Sequence, residues 1–371
     1  MFGILRRGAI SSTITFLFTM TMASAHVKWF LGRSQADILK DPKPELFTQP
    51  SIENIAPIVC VLVVLFLTTA AGRDFAFSRL NRRLSILSDG WEPVINLVMG
   101  VLLGSALIYC GETRTLLTPN FIICAHCPQW LPYAELFAGL SLILGLFARA
   151  GAATLFALLG FTFIKHSVAD CLDLVPLYGL AAYFLICGRG RYSLDERLKL
   201  QQPVGPIAVH VGHLLVRWFA GVGLMILALD EKLIHPQLAL ELLRHTPSLN
   251  LMGSTLDNQM FVLCAGLTEL LLGLVIVVGS FPRLAVLALS GVFLGTTLIF
   301  GATELLGHLP YYAIIVSLFL RGSGSMTPLA ILHELVRRFP GFGKTGVAKQ
   351  PAALLVVGQP AGPVKPRETM P

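Results

Sequence analysis

The chain has 371 residues, of which 54% are hydrophobic and 13% are charged, and its mean hydropathy is +0.72. Because a soluble domain carries about 25% charged residues, this composition excludes a water-soluble protein and predicts a polytopic membrane protein in contact with lipid. The formal net charge of +7 does not indicate a nucleic-acid partner. The Lys and Arg residues occupy short loops between apolar runs, as they do in membrane proteins generally.

The first 25 residues have the pattern of a secretory signal: two arginines, the apolar run 14–22, and the small-residue cleavage sequence Ala-Ser-Ala at 23–25. Cleavage would leave His26 as the mature N-terminus, and a terminal histidine can chelate copper. The alternative is an uncleaved anchor helix. Both alternatives place the polar, proline-containing segment 26–54 on the outer face of a bacterial inner membrane. This segment is predicted to have no core of its own.

Nine apolar segments follow, and each is predicted to be a membrane helix. They cover residues 55–72, 92–111, 130–148, 150–169, 174–187, 208–229, 259–280, 284–303 and 309–320. The fifth and ninth are shorter than the roughly 20 residues that span a bilayer, which predicts short helices packed within the bundle. Loops rich in Lys and Arg alternate with loops that contain few, which predicts an N-terminus outside and a C-terminus in the cytoplasm.

Residues 135–190 repeat without a gap as residues 269–324. In this register Glu135 coincides with Glu269, and several Gly, Pro, Tyr and Arg residues coincide as well. The further pairs include Gly139 with Gly273, Gly145 with Gly279, Arg149 with Arg283, Pro176 with Pro310, Tyr178 with Tyr312 and Gly188 with Gly322. Such punctuating residues, kept in one register over three hydrophobic segments, indicate an internal duplication.

The predicted fold class is all-α, with two tandem four-helix bundles and one extra N-terminal transmembrane helix. In chain order the predicted parts are a signal peptide or anchor (1–25), an exported polar segment (26–54), the extra helix and a basic inner loop (55–91), the first four-helix unit (92–205), the second four-helix unit (206–328), and an amphipathic helix with a disordered cytoplasmic tail (329–371).

Three features occur in both copies: an acidic residue with small residues in the second helix, a tight arginine-bearing hairpin into the third, and a Gly-x-Gly sequence after the fourth. In the second copy these are Glu269 to Gly273, Gly279 to Arg283 and Gly322 to Gly324. This unit resembles the DoxX-like family of integral membrane proteins, which includes the DoxX, DoxD and MauE types. The resemblance implies quinone- or thiol-based redox chemistry, with quinone as the cofactor and a membrane redox partner.

Ionisable residues inside the predicted membrane helices are informative, because a charge at the bilayer centre costs at least ~2.5–3.5 kcal/mol. Glu135 and Lys165 lie at similar helical distances from Arg149, on two antiparallel neighbours. The spacing therefore predicts a Glu135–Lys165 ion pair, with His166 level with it. Asp170 follows His166 by one helical turn, so the two are predicted to be in reach of each other.

The second copy keeps the acid and loses the base, because Ile299 and Phe300 stand at the positions of the lysine and histidine. Glu269 must therefore be protonated, paired with another group, or placed on a wet cavity. Arg217 is the nearest candidate partner in the sequence. An alternative for both glutamates is a structural role, in which they bond to backbone or tyrosine groups.

Four cysteines are predicted to lie at the outer rim of the first copy. Cys124 and Cys127 form a C-x-x-C motif in a loop, and Cys110 and Cys171 lie at the outer ends of two helices. A C-x-x-C pair forms a reducible disulfide, and a neighbouring histidine such as His126 increases thiol reactivity. The alternatives are a structural loop disulfide and a metal site.

A further cluster of polar residues is predicted at the outer rim of the second copy. Its members are Asp230, Glu231, Lys232, His235, Glu304 and His308. One interpretation is the mouth of a metal or substrate site, and the other is a rim in contact with water.

The first functional hypothesis is a membrane thiol:quinone oxidoreductase or a subunit of a redox complex, in which outer thiols exchange electrons with a quinone. The residues assigned to the thiol and proton chemistry are Cys124, Cys127, Cys110, Cys171, Glu135, Lys165, His166 and Glu269. The second hypothesis is a non-catalytic carrier or assembly protein for a small solute or metal. The sequence contains no Walker A, HExxH or Rossmann motif, so neither a nucleotide cofactor nor a resident metal is predicted.

Overall fold

The computed structural model describes residues 27–44 and 90–322. Within these ranges it leaves out residues 32, 120, 124–126, 203, 251–252, 254–255 and 280–281. The predicted signal at 1–25, the predicted extra helix at 55–72 and the predicted amphipathic helix and tail at 329–371 lie outside the described residues.

The described part of the chain contains nine helices of ten or more residues and no strand, which confirms the all-α fold class. They are α1 (Glu92–Thr113), α2 (Leu131–Leu144), α3 (Ala148–Lys165), α4 (Val175–Cys187), α5 (Pro206–Ala228), α6 (Pro236–His245), α7 (Asn258–Val278), α8 (Pro282–Phe300) and α9 (Ala302–Arg321). Six helical stretches are long and apolar enough to cross a membrane, which confirms a multi-pass membrane protein.

The repeat in the sequence is accompanied by a repeated contact at the hairpin between the second and third helices. Both hairpins begin at a glycine with positive φ, Gly145 at 65° and Gly279 at 79°, the conformation that ends a helix and turns the chain. The arginine of each hairpin then bonds to a carbonyl at the end of the fourth helix. Arg149 donates to Ile186 at 3.0 Å, and Arg283 donates to the matching Leu320 at 2.8 Å.

Glycine pairs also bring the first and second helices of each copy together. A Cβ on Gly104 would lie 2.6 Å from the Gly139 carbonyl oxygen, and a Cβ on Gly221 would lie 2.6 Å from the Gly273 carbonyl oxygen. Backbones that approach this closely tolerate only glycine, as in many membrane helix pairs. Because Gly104 of α1 and Gly221 of α5 make the same contact, α1 and α5 occupy equivalent positions in the two copies.

The eight helices of the two copies close a ring in which each packs on the next. The order is α1, α2, α3, α4, α5, α7, α8, α9 and back to α1. The fourth helix of each copy therefore packs on the first helix of the other copy. The α7–α8 contact is much smaller than the matching α2–α3 contact.

We call the two ends of this ring the hairpin end, which contains Gly145 and Gly279, and the loop end, which contains the α1–α2 and α5–α7 connections. A single arginine joins both copies at the hairpin end. Arg321 of α9 donates to Asn96 at 2.7 Å and to the Tyr183 hydroxyl at 3.1 Å, and it lies 3.1 Å from His213 Nδ1.

The prediction of a short ninth helix was wrong, because α9 begins at Ala302 and has 20 residues. Its first turns contain Glu304 and His308, which interrupt the apolar run in the sequence. In the fold both side chains are buried by protein, so the helix can continue through them without exposing a charge to lipid.

The N-terminal segment, residues 27–44, docks on the second copy. The side chains of Val27 and Ile38 are fully buried in a small core with Leu238 and Leu242 of α6. Phe30 stacks on Phe300, with ring centroids 4.0 Å apart. The segment thus has buried apolar contacts that its polar composition did not indicate.

Candidate functional site

The described cysteines at the loop end include one in a disulfide bond and two with free thiols. Cys127 is disulfide-bonded and packs against the apolar core, and none of the other described cysteines is its partner. Cys110 and Cys171 are free, buried thiols. Cys124 lies outside the described residues. The assignment of these four cysteines to thiol redox chemistry stays a prediction.

Glu135 is fully buried, but the predicted ion pair with Lys165 was wrong. One carboxylate oxygen of Glu135 accepts a hydrogen bond from the Leu117 N–H at 2.5 Å, because the α1–α2 loop folds back over the bundle. Lys165 is exposed at the end of α3, and its ammonium lies 5.8 Å from the centre of the Phe161 ring. A long lysine at a helix end extends toward water instead of remaining in the bundle.

His166 and Asp170 do not share a helix, because α3 ends at Lys165 and Ser167 caps a new short helix. Asp170 accepts from the Ser167 hydroxyl at 2.6 Å, and the His166 ring contacts Phe121 edge-on at 4.6 Å. No hydrogen bond joins these two side chains in the described structure. Both instead line a cavity of about 290 Å³ at the loop end, together with Lys28 and Arg33.

Glu269 has a partner that the sequence did not suggest. Lys232 Nζ lies 2.8 Å from Glu269 Oε2, and both side chains are 1% exposed. The chain continues from α5 into a π-helical turn, Leu229–Ile234, which widens the helix and turns Lys232 inward. Arg217 lies near the middle of α5, where its guanidinium group approaches Gly279.

Several residues predicted at a solvated rim of the second copy are buried, so that interpretation was wrong for them. Glu231 and Lys232 are each 1% exposed. His308 Nδ1 lies 3.3 Å from Glu304 Oε1, and neither side chain is exposed. The described residues contain no group of His, Cys, Asp and Glu arranged to hold a metal ion.

The second copy contains an apolar groove between its four membrane helices. It holds about 30 Å³ of free space for water-sized molecules. The groove is lined by Ala220, Leu224, Leu227, Ile276, Val286, Leu289, Phe293, Tyr311, Ile314 and Leu318. The small α7–α8 contact and the short side chain of Ala220 leave this space open.

Polar groups lie at one end of the groove. The Tyr311 hydroxyl donates to the Asp173 carbonyl oxygen at 3.0 Å. The His308 ring lies between Phe293, at 4.6 Å, and Tyr311, at 5.5 Å. Tyr311 therefore lines an otherwise apolar groove, and His308 and Glu304 lie behind its aromatic wall.

The matching positions in the first copy hold buried side chains. The equivalent positions, from the sequence repeat and the glycine alignment, are Leu103, Leu107, Cys110, Leu142, Ala152, Leu155, Leu159, Leu177, Leu180 and Phe184. None of these side chains is more than 3% exposed. The sequence has Leu103 in the first copy and the smaller Ala220 at the equivalent position of the second. This difference can be recognised only after the first helices of the two copies are aligned.

These observations define an all-α polytopic membrane protein with two matched helical units, the second of which contains the apolar groove. No protein-family model, no curated protein and no solved structure matches the chain.

Proposed function

We propose that this is a DoxX-like membrane redox protein of the bacterial inner membrane that moves electrons between thiols at its loop end and a quinone in its second copy. The observation that carries the proposal is the groove in the second copy, which is apolar along its length and has ionisable groups beside one end. The loop end would face the periplasm, with the C-terminus in the cytoplasm.

A quinone has an apolar tail and a head that takes up two electrons and two protons. Aliphatic walls such as Leu224, Leu289 and Ile314 suit the tail, since burying apolar area is favourable. His308 lies beside the place where the head would lie, and the Tyr311 hydroxyl would exchange its bond to the Asp173 carbonyl oxygen for one to the head. In the overall step a dithiol is oxidised to a disulfide, and its two electrons and two protons reduce the quinone to the quinol.

The buried acids fit the proton part of this proposal. Glu304 contacts His308 beside the groove, and Glu269 lies nearby on α7, paired with Lys232. Glu135 and His166 remain assigned to protons near the thiols of the first copy. Cys127 would belong to the dithiol that reacts with external thiols at the loop end.

The proposal is tested by dithiol-dependent reduction of a short-chain quinone by the purified protein. We expect Cys127→Ser and Cys124→Ser to abolish the reaction while the thermal unfolding transition is kept. Cys264→Ala is the matched control, because this buried free thiol lies in α7 of the second copy. Equal rates in wild-type protein and in the Cys127→Ser variant would exclude the redox function.

The buried Lys232–Glu269 pair favours a second candidate, a proton-coupled carrier for a small solute. Protonation of Glu269 would break the pair and allow the helices that carry it to move. Uptake into proteoliposomes that requires a proton gradient, is lost in Glu269→Gln and is unchanged in Cys127→Ser would support the carrier against the redox protein.

A further inference from the structure

The ammonium group of Lys28 is held by three groups that come from both copies. It donates to Asp230 Oδ2 at 3.0 Å and to the Ala169 carbonyl oxygen at 3.0 Å, and Asp173 Oδ1 lies 3.8 Å away. The Lys28 side chain is only 6% exposed. We call Ala169, Asp173 and Asp230 the ammonium pocket.

The pocket has the chemistry of a binding site rather than of a surface ion pair. Asp173 is 1% exposed, and neither of its carboxylate oxygens has a hydrogen-bond partner. The second oxygen of Asp230 lies 3.0 Å from His235 Nδ1, which orients the carboxylate. A carbonyl and two carboxylates directed at one point match the three N–H donors of a primary ammonium.

Electrostatics favours the charged form of the lysine. Burial alone would lower the pKa of Lys28, but Asp173, Glu231 and Asp230 raise it above its ordinary value. Without the lysine, these carboxylates would lie buried next to one another with less positive charge, which is costly. The ionised carboxylates of the pocket therefore favour a bound cation.

The residues around Lys28 anchor the segment at the loop end. The Val27 N–H lies 3.3 Å from Glu231 Oε2, and the Val27 and Ile38 side chains insert into the core on α6. The N-terminal segment thus delivers the lysine to the pocket and is held there by apolar contacts.

We propose that Ala169, Asp173 and Asp230 form a binding site for a primary alkylammonium, which Lys28 fills in cis, so that residues 27–44 close the interface between the two copies. Release of this segment opens a site for an alkylammonium group from solution. A quaternary ammonium does not fit, because it has no N–H to donate.

The test is chemical rescue of Lys28→Ala in the full-length protein. We expect this variant to lose thermal stability, and propylammonium chloride to restore it in a saturable way. Tetramethylammonium chloride at equal ionic strength is expected not to restore it. Lys40→Ala is the matched control, because Lys40 is exposed and pairs only with the nearby Asp37, and this variant is expected to unfold like wild type.

Two further measurements keep the proposal testable if Lys28→Ala folds poorly. Asp230→Asn combined with Lys28→Ala, prepared in propylammonium, is expected to lose the rescue. In the wild-type protein, acylation of Lys28 is expected to be on the order of tenfold or more slower than that of Lys40, since a buried amine reacts only after local opening. Wild-type stability of Lys28→Ala, equal rescue by both ammonium salts, or equal acylation of the two lysines would overturn the proposal.

Discussion

The two copies share their helix boundaries at the hairpin end, their hairpin arginines and their glycine contacts, but the side chains between their helices differ. In the first copy Leu103, Leu159 and Phe184 are buried between the helices. At the matching positions of the second copy, Ala220, Phe293 and Leu318 line a groove. A duplicated unit can therefore keep its helix contacts in both copies while the side chains between the helices differ.

The matched glutamates show the same divergence in their polar contacts. Glu135 bonds to a backbone N–H from the α1–α2 loop, whereas Glu269 pairs with the Lys232 ammonium. A glutamate that accepts a neutral N–H and a glutamate that pairs with a lysine respond differently to substitution. The contrast between the copies can therefore be tested one residue at a time.

The largest effect is expected for Lys232→Met, which leaves the Glu269 carboxylate buried without its cation. Breaking a buried ion pair from one side costs about 3–5 kcal/mol, and unfolding in detergent measures the loss. The double variant Lys232→Met/Glu269→Leu is expected to recover most of the stability, because an apolar pair replaces the ionic one. Lys165→Met, at the exposed lysine of the first copy, should change stability by less than about 0.5 kcal/mol.

The next effect concerns the filling of the two interiors. Leu103→Ala should create a cavity in the first copy and cost about 2–5 kcal/mol. The reverse change in the second copy, Ala220→Leu, places its side chain toward the groove and should cost less than the roughly 1–3 kcal/mol of an overpacked core. We also expect Ala220→Leu to raise the KM for the quinone. A large loss of stability in Ala220→Leu, as in an overpacked core, would contradict an open groove.

The smallest effect is expected at the hairpin arginines. Arg283 is 7% exposed and donates to the carbonyl oxygens of Phe319 and Leu320 at 2.8 Å, so Arg283→Ala should cost about 1.5–3 kcal/mol. Arg149 is exposed and donates to Ile186, so Arg149→Ala should cost less than about 1 kcal/mol. Thermal unfolding of the two variants measures the difference, and equal losses would show that the second copy does not depend more on its hairpin.

Much of the helical framework could be predicted from the sequence, because apolar runs and terminating glycines act locally. The predicted spans at 92–111 and 259–280 agree with α1 and α7 within a few residues. The ninth span was misjudged, since hydropathy cannot distinguish a polar residue buried by protein from one exposed to water.

The sequence by itself determined the membrane class and the register that matches Glu135 with Glu269. Both follow from composition and residue order, without knowledge of distant contacts. The tertiary structure alone decided which donor each glutamate receives, where the groove opens and where Lys28 is bound. Those outcomes depend on a loop that folds back, a widened helical turn and a docked N-terminal segment. Each brings together groups that are far apart in the chain, and local sequence patterns do not predict such contacts.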